Sequence, residues 1–395
     1  MCVGAAIQPD QQDVDGAVVA SLAPQRGAEL QDAVLERVDP GPGQPGSHQD
    51  HDRTHSERGT RQPTRANTGG PVGRQDEFPV LSLDGPQQAT GESTTVGPPG
   101  ARRARLTGMR AERIVITGAG GQVGRLLAAE ATRRGYQTRA LTSKMWDVTD
   151  AAAADRYIEP NDVVVNCAAF TAVDAAESDE PRAYAVNAVG ARNVARACAR
   201  TAARLIHVST DYVFSGRFPG TPRPYDLDDP TDPLGAYGRT KLAGERAVHE
   251  ELPDARVVRT AWLYTGVTND FVASMRRLAQ GKAPVNVVTD QIGSPTYVAD
   301  LVDALLQLVD DKVTAPLLHA ANPGAVSRYE QARAVFEAIG ADPERVRPVT
   351  TDEYPRPAPR PPYSALSGRL SAEAGLTPLR PWRDALAAAL AAPND

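Results

Sequence analysis

Seven residues, Gly118-Ala119-Gly120-Gly121-Gln122-Val123-Gly124, restrict the possible folds of this chain more than any other segment. They follow Ile114-Val115-Ile116-Thr117, a run of branched residues that reads as a buried strand. They open Val123 to Arg134, where Val123, Leu126, Leu127 and Ala131 recur at helical spacing. Between a strand and a helix, each glycine of the triplet has a physical task. Gly118 allows the tight turn, Gly121 lets backbone approach a pyrophosphate, and Gly124 lets the helix lie close on the strand. The first N–H groups of such a helix lack intrahelical partners and carry the positive end of its dipole, so phosphate is favoured there. The bland alternative is an ordinary strand-to-helix turn. The strand before and the patterned helix after favour dinucleotide binding, with Gly118, Gly121, Gln122, Val123 and Gly124 as candidate cofactor residues.

The alternation continues downstream. Gln137 to Leu141 reads as a second strand and Asp162 to Asn166 as a third, nearly unbroken in branched residues, as expected where both faces of a sheet are covered. Pro181 to Ala203 reads as an alanine-rich helix, Arg204 to Ser209 as a strand, Pro233 to Glu251 as a long helix and Arg256 to Thr260 as a strand. Repeated strand–helix units form a parallel sheet wrapped by helices. After about Tyr264 the pattern is less regular. Helices are expected over Phe271 to Ala279, Tyr297 to Val309 and Trp382 to Leu390, with a smaller lobe over the C-terminal edge of the sheet, where ligands bind.

Residues 1–108 differ in kind. They hold 26 Gly or Pro, one Phe and no Tyr or Trp. No lasting hydrophobic period develops, and the expectation is a disordered extension or an initiation site placed too early, with the folded module at 109–395. His48, His51 and His55 fall in this polar stretch without a framework around them, so no metal site is expected. The net charge of −6 with scattered signs argues against a nucleic-acid surface. No apolar run approaches a membrane span, and three unspaced cysteines suggest buried thiols of a reducing compartment. A cytoplasmic protein, monomer or homodimer, is expected.

The chemistry is carried by Tyr237 and Lys241, four apart and so on one face of the long helix. An ammonium there can lower a phenol's pKa and make it a proton donor near neutral pH. Thr210, at the end of the strand Leu205 to Val208, offers a hydroxyl from across the cleft. A carbonyl that receives a hydride needs such donors at its oxygen. Lys241 would also orient the cofactor's ribose. After the second strand stand Thr142-Ser143-Lys144, with the next acid at Asp147. The missing carboxylate and the presence of Ser143 and Lys144 favour the 2′-phosphate of NADPH, with NADH as the lesser possibility. Asn187 is expected to fix local backbone by side-chain hydrogen bonds.

In order along the chain stand Gly118 to Gly124, Asp147-Val-Thr-Asp150, Val165-Asn-Cys-Ala-Ala-Phe-Thr-Ala-Val-Asp174 and Tyr184-Ala-Val-Asn187. Then come Ser209-Thr-Asp-Tyr-Val-Phe214, Tyr237-Gly-Arg-Thr-Lys241, Arg259-Thr-Ala-Trp262 and Asp290-Gln-Ile-Gly-Ser-Pro-Thr296. On these blocks the chain from Met109 onward resembles the dTDP-4-dehydrorhamnose reductase family of extended short-chain dehydrogenases/reductases. The resemblance implies an α/β, Rossmann-type doubly wound parallel sheet with a smaller C-terminal substrate-binding lobe. It also implies NADPH-dependent reduction of the 4-keto group of dTDP-4-dehydro-L-rhamnose to dTDP-L-rhamnose. Thr210, Tyr237 and Lys241 would be catalytic, Asp147, Ala168 and Ala169 would join the cofactor residues, and Tyr212 and Trp262 would line the sugar pocket. Members can depend on Mg²⁺ at a carboxylate-lined dimer contact, which no motif locates here.

Three positions depart from the family pattern. Asn166-Cys-Ala-Ala-Phe-Thr171 replaces N-A-A-A-Y-T, Ala261-Trp262 replaces a Ser/Trp pair, and Thr142 stands at an often acidic position. None removes a catalytic group, but the first two touch the pocket. Reduction of another dTDP-4-keto-deoxysugar, of the antibiotic-sugar or dihydrostreptose type, is therefore an alternative. A non-catalytic regulatory subunit of the methionine adenosyltransferase type is a weaker one, because a binding subunit has no chemical need for Thr210, Tyr237 and Lys241 together. A dehydratase would want an acid/base pair after the Thr, whereas Asp211 is followed by Tyr212. An epimerase shares the Tyr/Lys centre and would hold NAD tightly.

Overall fold

The computed structural model describes residues 113–267 and 269–392. The expectations for residues 1–108, including the three histidines, lie outside the described residues.

The glycine turn joins β1 (Ile114–Thr117) to α1 (Gln122–Arg133), followed by β2 (Thr138–Leu141) and β3 (Val163–Asn166). A helical run then comprises α2 (Val173–Ser178), α3 (Glu180–Tyr184), a π turn (Ala185–Gly190) and α4 (Ala191–Thr201), before β4 (Arg204–Thr210), α5 (Ala236–Glu251) and β5 (Arg256–Thr260). The main sheet has the order Leu317–His319, β5, β4, β3, β1, β2, all parallel. Chain direction across the sheet reverses between β2 and β3, on either side of β1. The crevice beyond the C-terminal ends of β1 and β3 is thus the switch point at which such sheets bind ligands.

Alternate residues of each strand build a core on each face. Ile114, Ile116, Val163, Val165 and Ile206 pack with Leu127 of α1 and with Leu301 and Leu305 of the helix Val298–Val309. Val115, Val164, Leu205 and Val257 face the other way, onto Val194 and Cys198 of α4 and Val248 of α5. Both faces are dry, which explains the continuous branched runs. A third core joins Tyr264, Phe271, Met275, Val287, Phe336 and Leu386 in the C-terminal half. The chain does not stay there: residues 298–319 return to the main sheet as a covering helix and its edge strand.

The expected helix over 181–203 is interrupted by the π turn, which holds Asn187. The Asn187 side chain accepts from the Phe170 N–H at 2.8 Å and donates to the Phe170 carbonyl at 3.1 Å and to the Thr240 hydroxyl at 3.0 Å. It clamps the segment after β3 to α5. The Asn187 carbonyl lies so near Gly244 of α5 that a Cβ there would stand 2.1 Å from it. Gly244→Ala is expected to force these two helices apart at a cost of about 1–3 kcal/mol. Thermal denaturation against the open position Gly220→Ala, where no neighbour lies within 4 Å, checks this: equal melting points would remove the argument.

Candidate active site

The glycine turn meets the requirements of a phosphate cradle. Gly118 has a φ of 62°, and a Cβ on it would stand 2.6 Å from the Ala168 nitrogen. A Cβ on Gly124 would stand 2.5 Å from the Gly118 carbonyl, so α1 can approach β1 only through a glycine. Gly121 caps α1 without a side-chain hydrogen bond, and the first turn, from Gln122 through Val123, has no acid. That leaves backbone donors and the positive helix end for an anion, and the residues present fit a dinucleotide pyrophosphate. Ala168 lies just beyond the adjoining end of β3, its N–H directed to the Thr117 hydroxyl and the side-chain Oδ1 of Asn166. Ser143 and Lys144 lie exposed in the turn after β2. Asp147 accepts from the N–H and hydroxyl of Thr149 with a single carboxylate oxygen, an Asx-type turn that commits this oxygen locally.

A cavity at the switch point brings Val123, Ala169, Thr210, Tyr212, Tyr237, Lys241 and Trp262 together. Thr210 ends β4, whereas Tyr237 and Lys241 come from the first turns of α5. The helix lies closely on the turn that follows β4, since a Cβ at Gly238 would stand 2.2 Å from the Tyr212 carbonyl. The Tyr237 phenol hydrogen-bonds Thr210, and Thr210 donates to Asp211 at 3.1 Å. Burial pushes the phenol up to about 12, with the Thr210 bond opposing and the Asp211 charge adding. The lowering by Lys241 expected from the sequence is not seen: its Nζ donates instead to the Val208 carbonyl at 2.7 Å. Tyr237 therefore holds its proton, the state a donor needs. Burial also lowers Lys241 to about 8, against the pull of Glu245 and Cys167. Tyr212 presents its ring edge-on to Tyr237, centroids 5.7 Å apart.

Trp262 is not an open platform. Its backbone is left-handed at φ 45°, its indole is wedged where Gly293 leaves no room for a Cβ, and the Arg328 guanidinium lies 3.5 Å from the ring centroid. Arg328 also lines the cavity, and nothing near it in sequence announces that role. Asp211 was likewise missed. It is buried, with the Ser364 hydroxyl donating to it at 2.5 Å from a segment far along the chain. A further pin lies beside the cavity. Asp174, at the start of α2, binds Arg356 and Arg360 and accepts from the Ala358 N–H at 3.1 Å. Burial works against this carboxylate, but Arg360, the Ala358 N–H and Arg356 together hold it at about 2. Among the described residues no group of three or more His, Cys, Asp or Glu is arranged to hold a metal, and no helix is long and apolar enough to cross a membrane.

The family model described as RmlD substrate binding domain matches residues 112–394. The chain belongs to this family. It is 65% identical over 286 residues to a dTDP-4-dehydrorhamnose reductase of Mycobacterium tuberculosis, covering 72% of this chain and 94% of the relative. To that of Mycolicibacterium smegmatis it is 60% identical over 292 residues, covering 74% and 88%. The structure is similar to that of a Bacillus anthracis dTDP-4-dehydrorhamnose reductase in complex with NADP, with a TM-score of 0.66 at 36% identity, covering 71% of this chain and 99% of the other. The Rossmann-type α/β fold expected from the sequence is the one observed.

Burial raises the Asp211 carboxyl to about 7, opposed by the Ser364 and Thr210 hydrogen bonds and by Arg328. An unfolded Asp titrates near ~4. Between these values the native state keeps a proton that the unfolded state releases. The stability Asp211 contributes is thus complete below about pH 4 and is lost as pH rises through 7. Asp211→Asn does not titrate, so its melting temperature relative to the unaltered protein is expected to rise from pH 5 to pH 8. Melts across that range check this; a constant difference would show Asp211 to be ionised throughout.

Proposed function

We propose that this chain is an NADPH-dependent reductase that converts the 4-keto group of dTDP-4-dehydro-L-rhamnose to the alcohol of dTDP-L-rhamnose. The observation that carries the reading is the meeting of Thr210, Tyr237 and Lys241 in one cavity beside a glycine cradle fitted to a dinucleotide. The glycine turn, with Gln122 and Val123 at the helix start and Ala168 and Ala169 beside it, would hold the cofactor. Ser143 and Lys144, with no carboxylate at Thr142, favour the 2′-phosphate. When bound, NADPH supplies the hydride. Tyr237 delivers the proton to the carbonyl oxygen, which Thr210 steadies by a hydrogen bond as charge develops. Lys241 in its charged form stabilises the phenolate left behind. Tyr212 and Trp262 bound the sugar, Trp262 by its edge because Arg328 covers its face. The intact donor set and the mycobacterial relatives favour this substrate over other dTDP-4-keto-deoxysugars and over a regulatory subunit.

The test is NADPH oxidation by the full chain with dTDP-4-dehydro-L-rhamnose generated in place, NADH being run in parallel. Rapid turnover that prefers NADPH is expected. Tyr237→Phe should lower kcat by about 10²–10⁴-fold while leaving NADPH binding unchanged. Turnover that survives in Tyr237→Phe would remove Tyr237 as the donor, and binding of NADPH without turnover would redirect the search to another keto sugar.

A further inference from the structure

The last residues of β1 and β3 and the middle of β4 place three buried polar side chains side by side across the sheet. The register pairs Thr117 with Asn166 and Asn166 with His207. The Thr117 hydroxyl donates to Asn166 Oδ1 at 2.6 Å, and the Ala168 N–H reaches the same oxygen at 3.2 Å. Two donors on one oxygen fix the amide, so Asn166 Nδ2 points to His207 and lies 3.0 Å from its Nδ1. That ring nitrogen must accept. A neutral imidazole that accepts at Nδ1 carries its proton at Nε2. The Nε2 of His207 faces Lys241 Nζ at 3.5 Å, and both side chains are buried.

We propose that His207 is a positioning residue for the reduction: locked by Asn166, it turns an N–H toward Lys241 and biases that amine toward its uncharged form. A lysine cation facing an N–H dipole is less stable than a neutral amine able to accept from it. The surroundings agree. Burial, then the Lys241 charge, then His249, hold His207 well below its ordinary range, so the ring is neutral. Other groups around Lys241 do not substitute for it. From the end of β3 comes Cys167, a thiol pushed up to about 12 by burial and therefore uncharged. From α5 itself comes Glu245, whose carboxylate pairs with Arg259 of β5 at 2.7 and 2.9 Å and accepts from Ser209 at 2.6 Å. Tyr237, one turn before Lys241, keeps its proton. Glu245 draws Lys241 toward the cation and His207 pushes it the other way, which leaves the amine able to change charge close to working pH. The network also reaches the cofactor side, because the Ala168 N–H that fixes Asn166 abuts Gly118.

This inference rests on Lys241 assisting Tyr237. The experiment is the pH dependence of kcat/KM for NADPH-dependent reduction by the full chain, unaltered and as His207→Gln, His207→Leu and Lys241→Met. Activity that needs the Lys241 cation falls as pH rises through the pKa of Lys241. Without the facing N–H that fall should move upward by about one pH unit. His207→Gln, whose amide oxygen can accept from the ammonium, should show the shift with NADPH affinity within about twofold of the unaltered protein. A fall that stays in place in both His207 variants overturns the inference. If His207→Leu does not fold, the Gln variant carries the kinetic arm. Nitrogen-15 spectra of the histidine rings, with His207 assigned by its loss in the variant, carry a second arm: an Nε2–H tautomer is expected and an Nδ1–H tautomer overturns the inference. Collapse of activity in Lys241→Met together with an unmoved fall sinks the role of His207 alone. Activity retained in Lys241→Met sinks the reading of Lys241 and this inference with it.

Discussion

The site depends on how closely α5 is allowed to lie. At Gly238 a side chain would meet the Tyr212 carbonyl, and at Gly244 it would meet the Asn187 carbonyl, both well inside contact distance. Gly238 lies between Tyr237 and Lys241, and Gly244 lies one turn beyond Lys241. They hold one helix against the strand-end segment after β4 on one side and the π turn on the other. Protein interiors transmit such contacts with little slack, because packing leaves few voids to absorb a shift. Backbone-to-backbone approach thus sets where the helix lies, and the bonds of Tyr237 to Thr210 and of Lys241 to the Val208 carbonyl hold the phenol and the amine. Asn187 adds a polar clamp to the same junction through Thr240, the residue just before Lys241.

The electrostatics follow from this enclosure. Tyr237, Lys241, His207 and Asp211 are each displaced from their ordinary titration range with burial as the largest cause. Desolvation raises acids and lowers bases, so all four are pressed toward their neutral forms. Tyr237 and His207 stay neutral and hydrogen-bonded, whereas Lys241, lowered to about 8, still carries its charge near neutral pH. Against this stands the buried Arg259–Glu245 ion pair beside the centre, whose carboxylate also accepts from Ser209. Buried pairs of this kind give little net stability; here the pair fixes the field in which Lys241 titrates.

The sequence carries what is local. The glycine turn, the strand and helix alternation, and the Tyr/Lys spacing each occupy a few consecutive residues, and the structure places them as expected. Residues whose role arises from distant contact were not legible. Arg328 meets Trp262 from a later helix, Ser364 meets Asp211 from 153 residues away, and His207 looked like one more residue of a strand. The π turn was hidden because an alanine-rich run reads the same with or without one extra residue in a turn. Lys241 does not lower the phenol's pKa for a related reason: a charge four residues away is visible in the sequence, and the burial that outweighs it is not.

The pin between Asp174 and Arg360 spans 186 residues. Chains are made from the N-terminus, so β1 through β5, the glycine turn and the Tyr/Lys helix are all complete before Arg356 and Arg360 exist. The glycine turn belongs to the part of the chain synthesised early. The side of the cavity fastened by Asp174, and the Ser364 bond to Asp211, can close only when synthesis is nearly finished. A chain cut short before residue 356 would retain Thr210, Tyr237 and Lys241 and lack the fastening beside them. Completeness of the C-terminal segment is, in this sense, built into the chemistry.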